Sequence, residues 1–135
     1  EFQGKTLLRR AAEALVESAC EPVFVVLGAE IERSKVEVED LTVLFAVNED
    51  WESGMSSSIR IGLEKLCLLE PEINAVMITL CDQPFVTAEK IGLFINEFER
   101  TNAAIIAALS TVKAAGGNQT LKPRAEPSSV KVFRR

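Results

Sequence analysis

Residues 75–84 read Ala75-Val76-Met77-Ile78-Thr79-Leu80-Cys81-Asp82-Gln83-Pro84. An apolar run, AVMITL, ends in a carboxylate, and a proline follows two residues later. A run that is apolar at consecutive positions predicts a strand covered on both faces. Two runs of the same kind precede it: VFVVL at 23–27, ended by Gly28, and LTVLFAV at 41–47. A fourth, AAIIAAL, occupies 103–109. Helical periodicity fills the intervals. Such alternation predicts an α/β fold with a mostly parallel sheet and helices on both of its faces. Sites in these sheets lie outside the carboxyl ends of the strands. Asp82 falls at such an end.

The helices have legible boundaries. Residues 6–19 place Leu8, Ala11, Ala12, Leu15 and Ala19 on one side, and Glu21-Pro22 stops the run. The charged stretch IERSKVEVED at 31–40 has room for a short helix. Ser56 to Leu69 forms the next, with Ile59, Leu63 and either Leu66 or Cys67 facing inward, and Pro71 breaks it. Thr87 reads as an N-cap, with Glu89 in the first turn where a negative charge favours the dipole. Ile91, Phe94, Ile95 and Phe98 form the stripe of that last helix. From about residue 110 no period persists. The segment is rich in Gly, Pro, Ser and Lys, and VKVF at 130–133 reads as a marginal edge strand at best.

Composition narrows the chemistry. The chain has 135 residues, enough for one domain with a core. It contains no His, which removes Ser-His-Asp and Cys-His catalysis and most zinc sites. Its three cysteines, Cys20, Cys67 and Cys81, lack C-x-x-C spacing and read as small core residues. No apolar run reaches membrane-spanning length. The net charge is −5, with six basic residues and one acidic in 109–135. The body is therefore strongly acidic, which argues against nucleic-acid binding. No initiator Met is present, and the chain is read as starting inside a longer product or behind a removed tag.

Three stretches carry candidate chemistry. Gly4-Lys5-Thr6 imitates the end of a phosphate loop, but no strand precedes it, and a plain helix start is the better reading. Residues 48–58, NEDWESGMSSS, join a strand to a helix. Gly54 permits close backbone approach there. Ser56, Ser57 and Ser58 crowd a helix N-terminus whose free amides favour an anion or a polar base edge; serines there are also ordinary caps. Asp82 is the third. It reads either as a turn-capping residue or as a magnesium ligand, since Mg2+ prefers one or two carboxylates completed by phosphate oxygens and water.

The block N-x-x-W-x-x-G-M-S-S-S-I-x-x-G-L from Asn48 to Leu63, followed by Cys81-Asp82-Gln83-Pro84, is quite specific. With Gly4-Lys5-Thr6-Leu7-Leu8 and Val25-Val26-Leu27-Gly28 it resembles the MobA-like nucleotidyltransferase family over residues 3–108, especially the molybdenum cofactor cytidylyltransferase branch. The resemblance implies a three-layer Rossmann-like (GT-A-like) fold. It implies transfer of CMP from CTP to a molybdopterin-type acceptor, with release of pyrophosphate, in the cytoplasm. Asp82 would be the catalytic residue and hold Mg2+. Asn48, Gly54, Met55, Ser56, Ser57 and Ser58 would line the nucleotide pocket. Guanylyl transfer, a sugar-phosphate acceptor, and a non-catalytic interaction module of molybdoenzyme maturation are the alternatives.

The chain departs from the family at both ends. The glycine-rich stretch and the first, central strand of the family have no counterpart. Residues 1–109 therefore read as a partial nucleotidyltransferase domain, expected to be inactive by itself. Residues 110–135 read as an irregular basic tail, disordered or out of frame. A sheet without its central strand has a gap, so either a homo-oligomer or a tail that covers the gap is expected.

Overall fold

The computed structural model describes residues 3–103, together with the backbone of 105–106 and 131–134. The first helix, α1 (Leu7–Val16), begins where the Thr6 hydroxyl accepts from the Arg9 amide. Strand β1 (Phe24–Leu27) follows, then the short α2 (Ile31–Val36), which the charged connection does form, then β2 (Leu44–Val47). A single 3-10 turn (Trp51–Ser53) leads into α3 (Met55–Leu69). After it come β3 (Ala75–Ile78) and α4 (Ala88–Thr101), whose N-cap is Thr87 and whose C-cap, Asn102, takes the left-handed conformation. Helices and strands alternate as the apolar runs require.

Strands β1 and β2 pair in parallel, Phe24 opposite Leu44 and Leu27 opposite Val47. Burial alternates along β1, with Val25 and Leu27 buried. On the other face, a Cβ added at Gly62 of α3 would lie 2.9 Å from Val26 Cγ2, so the helix packs directly on the strand. Both faces of β1 are thus covered, as its continuous apolar sequence demands. Ala12, Ala14, Val38 and Ile91 complete the buried set.

The second sheet has the order β3-β5-β4, with β4 at Ile105–Ile106 and β5 at Lys131–Arg134. β5 is antiparallel to both neighbours, so β3 and β4 run the same way. Here the tail corrects the reading from sequence: 131–134 is not an edge strand but the middle one. Its adjacent Val132 and Phe133 are residue types that favour a strand, and it pairs with two partners at once. The remainder of the expected tail, 107–130, lies outside the described residues. Among the described residues neither β1 nor β2 bonds to β3, so the described strands fall into two sheets.

The cysteines are also not core residues. Cys20 is half-buried, whereas Cys67 and Cys81 are exposed. Ile59, Leu63 and Leu66 turn inward together; Cys67 lies a further 100° round the helix and faces out. Cys81 lies beyond the end of β3, in the turn.

Arg9 ties the front of α1 to the turn after α2. Its guanidinium donates to Asp40 Oδ1 at 2.6 Å and Oδ2 at 2.8 Å, to the Glu37 carbonyl at 3.0 Å, and to Glu13 Oε1 at 3.0 Å. Lys5 adds a contact to Glu13 at 2.6 Å. The bond from Arg9 holds the Asp40 carboxyl below its ordinary range. Lys5 and then Arg9 do the same for Glu13 against the opposing effect of desolvation. A carboxylate whose folded pKa is depressed stabilises the fold above its unfolded value, and that contribution is lost as pH falls through the folded value. The melting temperature should therefore drop as pH falls from about 5 to about 3. Arg9→Ala should lower it near neutrality and flatten this acid limb, which thermal melts across that range would read.

Candidate functional site

At the carboxyl end of β2 the chain reaches Asn48, which is 1 % exposed. A buried primary amide must satisfy its donors and acceptor internally. Its Nδ2 donates to Ser57 Oγ at 2.8 Å and to Ser58 Oγ at 2.9 Å, while its Oδ1 accepts from the Asp50 amide at 3.1 Å. One side chain thereby fixes the end of the strand, the turn after it and the first turn of α3. The Ser57 hydroxyl, also buried, lies 2.7 Å from the Gly54 carbonyl and 3.0 Å from that of Asp50, and can donate to one at a time. Ser57 and Ser58 are thus engaged inward.

Gly54 precedes the helix at φ 106° and supplies no capping side chain. That backbone geometry is strained for any residue with a Cβ. The amides at the very start of α3 are consequently not covered by a cap, and the helix is long enough to present a dipole there. Met55 and Ser56 are exposed at this end. Beside them Trp51 is 44 % exposed. Its stem lies so close to Gly28, at the end of β1, that a Cβ added there would fall 2.5 Å from Trp51 Cβ. Gly28 is required by this contact, which ties the ends of β1 and β2 together.

Asp82 lies in the turn beyond β3 and is exposed. The turn is closed by the Gln83 amide donating to the Leu80 carbonyl at 3.3 Å. Arg10 of α1 reaches the same turn, its Nη2 donating to the Pro84 carbonyl at 3.4 Å. Met55 and Ser58 from the start of α3, and Leu80 and Cys81 from the approach to Asp82, border one cavity. The structure therefore brings Met55 and Ser58 and the approach to Asp82 to one cavity, and Asp82 itself does not border it. Ser57 does not border it, being turned toward Asn48. Among the described residues no three acidic or cysteine side chains gather in a way that would cage a metal. A cation held by Asp82 would thus take most of its ligands from phosphate and water, which fits the habit of Mg2+.

The sequence shows an Asn nine and ten residues before two serines, but not that they bond. Asn48→Ala removes both donors from a buried site, where an unmet polar group costs about 1–3 kcal/mol. The variant should lose stability of that order in urea unfolding. It should also lose protection from hydrogen exchange at the amides of α3's first turn before those of its last.

The chain is similar to the nicotine blue oxidoreductase of Paenarthrobacter nicotinovorans, at 31% identity over 93 residues, covering 67% of this chain and 43% of that protein. The chain thus spans less than half the length of this curated relative. The model of the MobA-like NTP transferase domain matches residues 1–120. With the parallel β1–β2 pair, the helix start held by Asn48 and the exposed Asp82 turn all inside that match, the chain belongs to the MobA-like NTP transferase family.

Proposed function

We propose that the opening between the start of α3 and the Asp82 turn receives a nucleoside triphosphate, and that the whole protein is a nucleotidyltransferase of the cytidylyl type acting in the cytoplasm. The observation that carries this reading is the Asn48 clamp, which holds an uncapped helix start at a cavity that the approach to Asp82 also borders. Oriented amides and a helix dipole favour phosphate or a polar base edge. Gly54, Met55 and Ser56 offer that surface; Asn48, Ser57 and Ser58 hold it in place. Trp51, half exposed beside them, offers an apolar wall.

In this reading Asp82 holds Mg2+. The ion, when bound, neutralises the charge of the triphosphate. Nucleotidyl transfer needs little covalent help from the protein beyond positioning and charge compensation. An oxygen of the acceptor phosphate forms a bond to the α-phosphorus, the bond from that phosphorus to the β-phosphate bridge breaks, and pyrophosphate leaves with the electron pair. The acceptor is a molybdopterin-type phosphate, on the strength of the N-x-x-W-x-x-G-M-S-S-S block and C-D-Q-P. A second reading is a binding module without turnover.

Isothermal titration with CTP, GTP and ATP, each with and without Mg2+, tests this. CTP should bind in a magnesium-dependent manner and more tightly than the purine nucleotides. Asp82→Asn should weaken Mg-CTP by at least about tenfold, or 1.4 kcal/mol, while stability moves by no more than about 0.5 kcal/mol, as for an exposed side chain. Equal affinity for all three nucleotides would remove the cytidylyl assignment. No nucleotide binding at all, by a chain that melts cooperatively, would remove the transferase reading.

A further inference from the structure

The two arginines at the front of α1 diverge. Successive helix residues lie about 100° apart, so Arg9 reaches the turn after α2 while Arg10 reaches the connection between β3 and α4. Arg10 is half-buried. Its Nη1 donates to Gln3 Oε1 at 3.3 Å and its Nη2 to the Pro84 carbonyl at 3.4 Å. One planar guanidinium thus spans the approach to α1 and the turn that carries Asp82, a geometry that the point charge of an ammonium does not offer. A second cation meets the next carbonyl of the same turn. Lys90 stands in the first turn of α4, where the helix dipole disfavours positive charge. Its side chain folds back, and Nζ donates to the Phe85 carbonyl at 2.7 Å.

Within the connection, the Gln83 amide donates to the Leu80 carbonyl at 3.3 Å and the Val86 amide to the Gln83 carbonyl at 3.1 Å. Pro84 has no amide hydrogen to add. The consecutive carbonyls of Pro84 and Phe85 go instead to cations from two helices, so the turn is held from α1 and from α4. Hydrogen bonds with an ionised donor are stronger than neutral ones. Asp82 is exposed and lies two residues before Pro84. The direction of its carboxylate is therefore set by a backbone held in this way. Groups that orient a metal ligand from behind govern affinity nearly as much as the ligand does.

We infer that Arg10 and Lys90 are positioning residues for Asp82: they fix the turn after β3 by its Pro84 and Phe85 carbonyls, and so hold the carboxylate where a Mg2+-nucleotide can meet it. This rests on the reading of Asp82 as the Mg2+ ligand. Arg10 is the stronger of the two. The Lys90 bond is shorter, but it is exposed to water, whereas that from Arg10 to Pro84 is part-buried. Neither cation needs to touch the nucleotide.

Two measurements test this. The first needs no ligand. In amide hydrogen exchange on the full chain, Arg10→Met should speed exchange at the Gln83 and Val86 amides by at least about tenfold and leave the amides of α3 unchanged. Unchanged exchange in the turn, or equal acceleration throughout the chain, overturns the inference. The second is calorimetric titration with CTP. Arg10→Met should weaken Mg-CTP by about tenfold and leave CTP without Mg2+ unmoved; Lys90→Met should do the same to a smaller degree. Arg10→Lys keeps the charge but not the fork, and should resemble Arg10→Met. Full Mg-CTP affinity in either Arg10 variant overturns the inference. Asp82→Asn combined with Arg10→Met should bind Mg-CTP no more weakly than Asp82→Asn alone. Additive losses overturn the inference, because Arg10 then acts apart from Asp82. If Asp82→Asn by itself leaves Mg-CTP affinity unaltered, the Mg2+ reading of Asp82 falls, and the exchange measurement still decides whether Arg10 holds the turn.

Discussion

Two parallel strands cannot be joined by a tight turn; the chain must leave the sheet and return. That constraint organises the first half of the molecule. β1 runs out at Gly28, the chain crosses through α2 and the Val38 turn, and β2 comes back beside β1 pointing the same way. Both strands therefore deliver their carboxyl ends to one side. Gly28 and Asn48 are the residues found there, the first pressed against Trp51 and the second locked into α3. The crossover in turn must be held down, and the Arg9 fork to Asp40 and Glu37 does this from α1.

The Asn48 lock illustrates how burial and function are joined. An amide buried to 1 % exposure is tolerable only because every polar group on it has a partner. That demand turns the Ser57 and Ser58 hydroxyls toward Asn48. Serine-rich helix starts are easily read as side-chain binding sites. Here Ser57 and Ser58 are committed to the Asn48 amide and so hold the junction of strand and helix.

Much of this was legible in the chain itself. β-branched runs broken by Gly28, Pro71 and Pro84 marked strands and turns, and Thr6 and Thr87 marked helix starts, because local chemistry determines those features. Side-chain pairing across sequence distance was not legible: nothing at Asp40 announces Arg9, thirty-one residues earlier. Nor was the role of 131–134, since four residues of modest strand preference carry no sign of which partners they will find. The cysteines misled for a related reason. Apolar neighbours in sequence implied burial, whereas Cys67 sits one position past an inward stripe and Cys81 one position into a turn.

The placing of Trp51 has an optical consequence. It is the sole tryptophan of the chain, and tyrosine is absent. All near-ultraviolet emission above the weak phenylalanine background therefore originates beside Gly28 and the start of α3. A half-exposed indole in that position responds to the polarity of its surroundings and to quenchers that reach the opening. The protein thus contains, without labelling, a single emitter located at the region where its strands end, and its spectrum reads that region alone.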